Sequence, residues 1–388
     1  MAPGVVSGLL ADFGSFVPRW PMATQKRKPR LETLIVALPE TAGSALYGLV
    51  DVLTATGVAW QTLTRTEPID LPFHVGIASM GSRSFHCGNG IPVSPSVSIR
   101  DDPPADIVII PQLWFGPDEQ LRGRYLELTA WIRERYARGA SIYSVCSGAL
   151  LLAEARLLDG REATSHWGYQ QLFERRYPKV RFRPEPSLCF ADAAGRLVTA
   201  GGSTSWHDLV LHIISRHVSP GEALHIAQAY LLKPHEEGQL PYRPLVRPLP
   251  HPDAAVRDTE LWLTRHFGES HAVAGAVKHS RLPERTLKRR FKAATGLTLI
   301  DYLQNLRIEE AKRRLESSKR SADTISADVG YEDASFFRRI FKRRTGLTPV
   351  RYRRMFQPAQ HGTPQPTGSD SSSRRSEKRE RRSDSPTT

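Results

Sequence analysis

Cysteine is scarce in this chain: three residues in 388, Cys87, Cys146 and Cys189. Three thiols cannot build a disulfide framework, and their spacing matches no metal-binding pattern. A reducing, cytoplasmic setting is therefore expected, with no metal and no cofactor. Long apolar runs are missing too. No stretch approaches the roughly 20 residues that a membrane-spanning helix needs, so no membrane contact is expected. The apolar patch from Val5 to Val17 is broken by Asp12 and follows no basic segment, which argues against a signal peptide. Acidic side chains are outnumbered, 40 to 54, for a net charge of +14.

That positive excess is concentrated. Residues 253–356 hold 23 basic and 13 acidic side chains, a net +10, whereas residues 31–252 hold 20 and 22, a net −2. A near-neutral large part joined to a small basic part suggests sensing or catalysis tethered to a polyanion binder. A merely solvated basic surface is the plainer alternative.

Composition divides the chain in a similar way. Residues 1–30, with a basic cluster from Lys26 to Arg30, read as a flexible leader, and Met22 is a candidate start. Residues 31–240 carry regular patterning. Residues 241–252 contain Pro241, Pro244, Pro248, Pro250 and Pro252 and read as a stiff linker, because proline blocks helix and sheet hydrogen bonding. Residues 357–388 have almost no apolar side chains and read as a disordered tail.

Within 31–240, short apolar runs alternate with helical patterns. The expected strands are Leu34 to Leu38, Phe73 to Ala78, Ile107 to Ile110, Ser141 to Val145 and Leu197 to Ala200. The expected helices are Tyr47 to Thr56, Leu126 to Arg138, Ser147 to Ala155 and Trp206 to Val218. Strands that are apolar throughout are buried on both faces. The expected class is α/β, a flavodoxin-like, mostly parallel sheet sandwich, followed by an all-α domain with two helix-turn-helix units.

Strand 141–145 runs straight into Cys146-Ser147-Gly148 and a helix. This is the geometry of a nucleophile elbow, with the cysteine at the corner and a helix N-terminus expected to favour its thiolate. A small buried cysteine is the structural alternative. The turn Gly201-Gly202-Ser203-Thr204-Ser205 reads as tight packing in preference to an anion site. The segment from Ser144 to Trp167, SVCSGALLLAEARLLDGREATSHW, resembles the PfpI-like class I glutamine amidotransferase superfamily, in particular the amidase-like domain of GlxA-type regulators. The resemblance covers roughly residues 31–235. It implies that Cys146 and His166 match the nucleophile and base of hydrolytic relatives. Two departures weaken catalysis. Ser147 stands where such enzymes often have histidine, and Thr41 to Leu46 lacks the polarising acid, with only Glu40 nearby. Cys146 and His166 are therefore expected as a vestigial or sensing pair, with no catalytic residue.

The basic segment contains a repeat. Phe291-Lys292 and Thr295-Gly296-Leu297-Thr298 recur 50 residues later as Phe341-Lys342 and Thr345-Gly346-Leu347-Thr348, and Arg289 and Tyr302 recur as Arg339 and Tyr352. Each copy reads as a helix-turn-helix. One recognition helix spans 284–294, with Leu287 and Phe291 inward and Arg285, Lys288, Arg289 and Lys292 outward. The other spans 333–344, with Phe337 and Phe341 inward and Ser335, Arg338, Arg339 and Lys342 outward. A long helix, 301–317, joins them. Arginine on such a face can grip guanine bidentately, and lysine can bind phosphate. Residues 253–356 resemble the AraC/XylS family, through Asp328-Val329-Gly330-Tyr331, Ser335 to Lys342, Gly346-Leu347-Thr348-Pro349 and Tyr352-Arg353. The resemblance implies two units reading adjacent major-groove segments. The first copy departs from the pattern, with Lys278 to Pro283 replacing the usual small residue and glycine of the turn.

The expected function is a bacterial, sequence-specific DNA-binding transcription regulator whose amidase-like domain senses a small molecule near Cys146 or dimerises. Expected partners are double-stranded DNA, that effector, a second copy through the N-terminal domain, and RNA polymerase for an activator. The alternative is a cysteine-dependent amidase or glyoxalase-like enzyme fused to a DNA-binding module.

Overall fold

The computed structural model describes residues 29–116, 119, 121–246 and 251–357. The leader expected over 1–30, apart from its last two residues, and the tail expected over 357–388, apart from Gln357, lie outside the described residues. The chain divides into two compact units between Arg243 and Pro244.

The first unit is built on a seven-stranded sheet. In spatial order its strands are Leu188–Phe190, Leu197–Ala200, Ser141–Val145, Ile107–Ile110, Leu31–Val36, Phe73–Ser79 and Val97–Ser98. All neighbours are parallel except Leu188–Phe190, which runs antiparallel to Leu197–Ala200. Taking the five principal parallel strands in chain order gives the spatial order 2-1-3-4-5, the flavodoxin-like winding. The continuous apolar runs have the expected cause. Leu34, Val36, Val108, Ile110 and Ile142 pack on one face, and Ile35, Ile107, Ile109, Tyr143 and Val145 pack on the other. The first face is covered by helices Leu126–Ala137, Ala149–Glu154 and Gln170–Arg176, and the second by Gly43–Ala55 and Trp206–His217.

Three expected strands, 107–110, 141–145 and 197–200, have the bounds read from the sequence. Elsewhere the bounds shift. The first strand begins at Leu31, because Thr33, polar in sequence, is fully buried and pairs in register with Val75 and Ile107. The helix expected from Ser147 begins as a 3-10 turn, Cys146–Gly148, and becomes α-helical only over Ala149–Glu154. Helix Pro220–Tyr230 was not anticipated, although Ser219 accepts a hydrogen bond from the Glu222 amide at 3.1 Å and Pro220 occupies its first turn.

The boundary between the two units falls within the linker expected over 241–252, and residues on either side of that boundary pack onto their own units. Leu240–Tyr242 form a 3-10 turn of the first unit, with Pro241 buried. Leu245 belongs to the second unit, where its N–H donates to Glu309 Oε1 at 2.8 Å and its carbonyl accepts from Asn305 Nδ2 at 3.1 Å.

The second unit is all helical: Ala254–His266, Ala272–Ser280, Glu284–Thr295, Leu299–Ser317, Ala322–Asp328, Ala334–Thr345 and Pro349–Phe356. The repeat has a local cause. In each copy the threonine hydroxyl donates back to the phenylalanine carbonyl, at 2.7 Å from Thr295 to Phe291 and 2.8 Å from Thr345 to Phe341. The glycine follows with left-handed φ, 74° at Gly296 and 76° at Gly346, and closes the helix. The second threonine caps the next helix, at Thr298 and Thr348. Tyr302 and Tyr352 then set their rings edge-on to Phe291 and Phe341, at 5.3 and 5.5 Å. One device therefore ends each recognition helix and starts its successor.

Candidate functional site

Two constellations carry chemistry: the exposed faces of the repeated helices, and the cysteine corner.

In each helix-turn-helix the buried seam dictates which side chains face out. Leu287 and Phe291 are fully buried in one recognition helix, and Phe337 and Phe341 in the other. Arg285, Lys288, Arg289, Lys292, Ser335, Arg338, Arg339 and Lys342 are all exposed, each on its own helix as read from the sequence. Two of them hold exposed partners: Lys288 pairs with Glu284 at 2.5 Å, and Arg338 pairs with Asp323. Exposed pairs of this kind contribute about 0–1 kcal/mol, so a phosphate can displace them. The Arg339 guanidinium lies 5.2 Å over the Phe336 ring, which holds it at the helix surface.

Arg290 follows Arg289 in sequence but turns the other way. It grips Asp253 through two hydrogen bonds, 2.8 and 2.7 Å, and holds that carboxyl down at about 2. Sequence reading had assigned it no role, although its position three after Leu287 puts it on the inner face. Arg307 was missed as well. It is buried, donates to the carbonyls of Phe267 and Glu269 at 2.8 Å each, and lies 5.2 Å over the Tyr331 ring. The turn of the second unit depends on Gly330, at φ 89°, where a Cβ would meet the Gly268 carbonyl at 2.6 Å. The first turn places Arg281 in the same left-handed region, at φ 55°. Pro283 stands at the N-cap, immediately before the helix.

The corner expected at Cys146 is present. Its backbone is left-handed, φ 54°, a state costing a non-glycine residue about 1–3 kcal/mol. Gly148 fits behind it because a Cβ there would meet the Ile110 carbonyl at 2.5 Å. The Ser147 hydroxyl locks the turn, accepting from the Leu113 amide at 2.8 Å and donating to its carbonyl at 2.5 Å. The Ser165 hydroxyl donates to the Cys146 carbonyl at 2.6 Å. The corner lies at the C-terminal end of its strand, where parallel sheets bind ligands.

The thiolate expected there is not favoured, which corrects the sequence reading. Cys146 is 2 % exposed, and burial pushes its thiol up to about 11. The amides of Ser147 and His166 and the hydroxyls of Ser203 and Ser147 oppose that shift without cancelling it. The His166 ring accepts from the Gly168 amide at Nδ1, 3.0 Å, so the neutral ring carries its proton on Nε2 and has no lone pair there to take one. Glu40 is turned to the Tyr125 hydroxyl at 2.5 Å and to Arg124. The Gly201 turn is closely packed, as expected, against Gln239. On alkylation at neutral pH, Cys146 is expected to react far more slowly than a free thiol. Its rate should climb toward a midpoint near 11, as followed by mass spectrometry of its peptide. A midpoint at or below the free value of about 8.5 would mean that the corner activates the thiol after all.

Both units resemble known proteins. The profile of the DJ-1/PfpI family matches residues 49–216, and a helix-turn-helix domain profile matches residues 277–355. The chain is 26% identical over 243 residues to the HTH-type transcriptional regulator CdhR of Pseudomonas aeruginosa, covering 60% of this chain and 68% of that one. It is 30% identical over 106 residues to the arabinose operon regulatory protein of Salmonella typhimurium, covering 26% of this chain but only 38% of the relative. A solved AraC family transcriptional regulator from Pseudomonas putida is 19% identical, with a TM-score of 0.42, covering 52% of this chain and all of that one. No described helix is long and apolar enough to cross a membrane.

Proposed function

Because the chain joins a DJ-1/PfpI-family domain to an AraC-type helix-turn-helix domain, and is thereby a DNA-binding transcriptional regulator, we propose a division of labour between its two units. The helical unit reads promoter DNA through Arg285, Lys288, Arg289, Lys292, Ser335, Arg338, Arg339 and Lys342. The α/β unit senses a small molecule or pairs two copies, and Cys146 and His166 are a vestigial or sensing pair instead of a catalytic one. The observation that carries the DNA-reading assignment is the duplicated helix whose aromatic face is buried and whose basic face is open. The cytoplasm is the proposed compartment, residues 253–356 are the proposed extent of the DNA-binding domain, and RNA polymerase is the proposed partner for an activating role.

Arg289 and Arg339 are the proposed base readers. Replacing either with alanine should weaken the cognate site by about 1–3 kcal/mol and random duplex much less. Replacing Lys292 or Lys342 should weaken both alike, because phosphate carries no sequence. The two arginines should act on segments about 10 base pairs apart. Fluorescence anisotropy on promoter fragments and on scrambled duplex measures the difference. Equal losses on both kinds of DNA would move the two arginines to the phosphate backbone.

Cys146→Ser should leave folding and basal DNA binding unchanged. Turnover of amides or small dicarbonyls by the full chain, abolished in that variant, would replace this reading with the enzymatic one.

A further inference from the structure

A cleft of about 800 Å³ opens on the first unit, away from the cysteine corner. Its walls are the start of helix Leu126–Ala137, the turn after helix Ala149–Glu154, and the end of helix Gln170–Arg176 with the residues that follow it. Five cations line it: Arg122, Arg156, Arg175, Arg176 and Lys179. Among the described residues that line it, two are carboxylates, Glu154 and Asp159. Glu154 is already engaged, accepting from the Tyr177 hydroxyl at 2.5 Å.

Basic residues near helix C-termini often do no more than offset the helix dipole. That accounts for Arg175 and Arg176, which stand in the last turn of their helix. It does not account for Arg122 or Lys179, which are outside any helix. Arg122, Arg156 and Lys179 have no side-chain hydrogen bond or ion pair with another described residue. Arg156 is the more unusual because its backbone is left-handed, φ 58°, at the end of helix Ala149–Glu154. Glycine or asparagine suits that position, and an arginine there carries strain that its side chain does not recover from any described contact. The cleft also exposes apolar surface, with Leu126 69% exposed on its rim.

Unpaired cations converging on a concave site, beside apolar surface, suit an anion of metabolite size better than the convex backbone of a duplex. We propose that this cleft binds an organic polyanion, with Arg122, Arg156 and Lys179 holding its phosphate or carboxylate groups and Leu126 facing its carbon skeleton. The proposal deepens the sensing half of the functional reading by naming a site and a ligand chemistry. Its test uses direct binding, so its failure would leave the DNA-binding reading intact.

The test is calorimetry on the full-length chain in low-salt chloride buffer, with pyrophosphate as the phosphate probe and citrate as the carboxylate probe. At least one should bind, and the stronger of the two identifies the source of the negative charge. Arg122→Gln and Arg156→Gly should each lower that affinity at least about tenfold. Arg156→Gly relieves the left-handed strain, so its loss of binding cannot be attributed to misfolding. Arg133→Gln, which removes an exposed charge outside the cleft, should leave affinity unchanged. The proposal is overturned if neither probe binds more tightly than about 1 mM. It is equally overturned if all three variants lose affinity alike, or if the cleft variants weaken duplex binding while leaving both probes unaffected.

Discussion

Raising salt from about 50 to 200 mM should cost the full-length chain about three to five orders of magnitude in affinity for duplex DNA, provided six to ten phosphates are neutralised. The expectation follows from where the charge lies. The segment 253–356 carries a net +10, and the outward residues of both recognition helices are exposed. Each cation that meets a phosphate releases condensed counterions, and added salt opposes that release. Because the Lys288–Glu284 and Arg338–Asp323 pairs are exposed, salt screens them as well, so they add little to the slope. Anisotropy titrations at several salt concentrations give the slope directly. A slope near zero would remove phosphate neutralisation from the account and leave the basic faces as solvated surface.

The second large effect is on stability. Phe341→Ala should destabilise the helical unit by about 3–5 kcal/mol. Phe341 is fully buried, its ring 5.6 Å from Phe337 and 5.5 Å from Tyr352, so truncation opens a cavity between two helices and removes both ring contacts. A domain of this size has about 5–15 kcal/mol in total, so duplex binding should fall with the folded fraction. Urea unfolding followed by circular dichroism should show an early transition for the helical unit. The exposed neighbour Arg343→Ala should shift stability by no more than about 0.5 kcal/mol. If the two variants proved equally stable, the aromatic seam would not be what holds the repeated unit together.

Much of the helical unit was legible because its signals are local. The 50-residue repeat, the inward Leu287, Phe291, Phe337 and Phe341, and the terminating Gly346 all act within one or two helical turns. Pattern and capping chemistry report such features directly. The same holds for the apolar strands at 107–110, 141–145 and 197–200. The two-residue strand Val97–Ser98 was not legible, because it is too short to show any period and is defined only by its pairing with Ala78 and Ser79.

The sequence by itself determined which residue stands at the corner after strand 141–145 and which side chains share a helix face. These follow from chain direction and helical period. Only the tertiary structure decided the chemistry of those residues. Whether Cys146 is a thiolate depends on how the fold buries it, and that burial outweighs the opposing hydrogen bonds from Ser147 at the turn and from Ser203 and His166, which are remote in sequence. Whether an arginine faces outward or is paired depends on what the fold brings to it. Arg290 meets Asp253 from 37 residues away, while Arg289 beside it stays exposed. Desolvation and charge pairing are summed over neighbours in space, and local sequence pattern does not carry that sum.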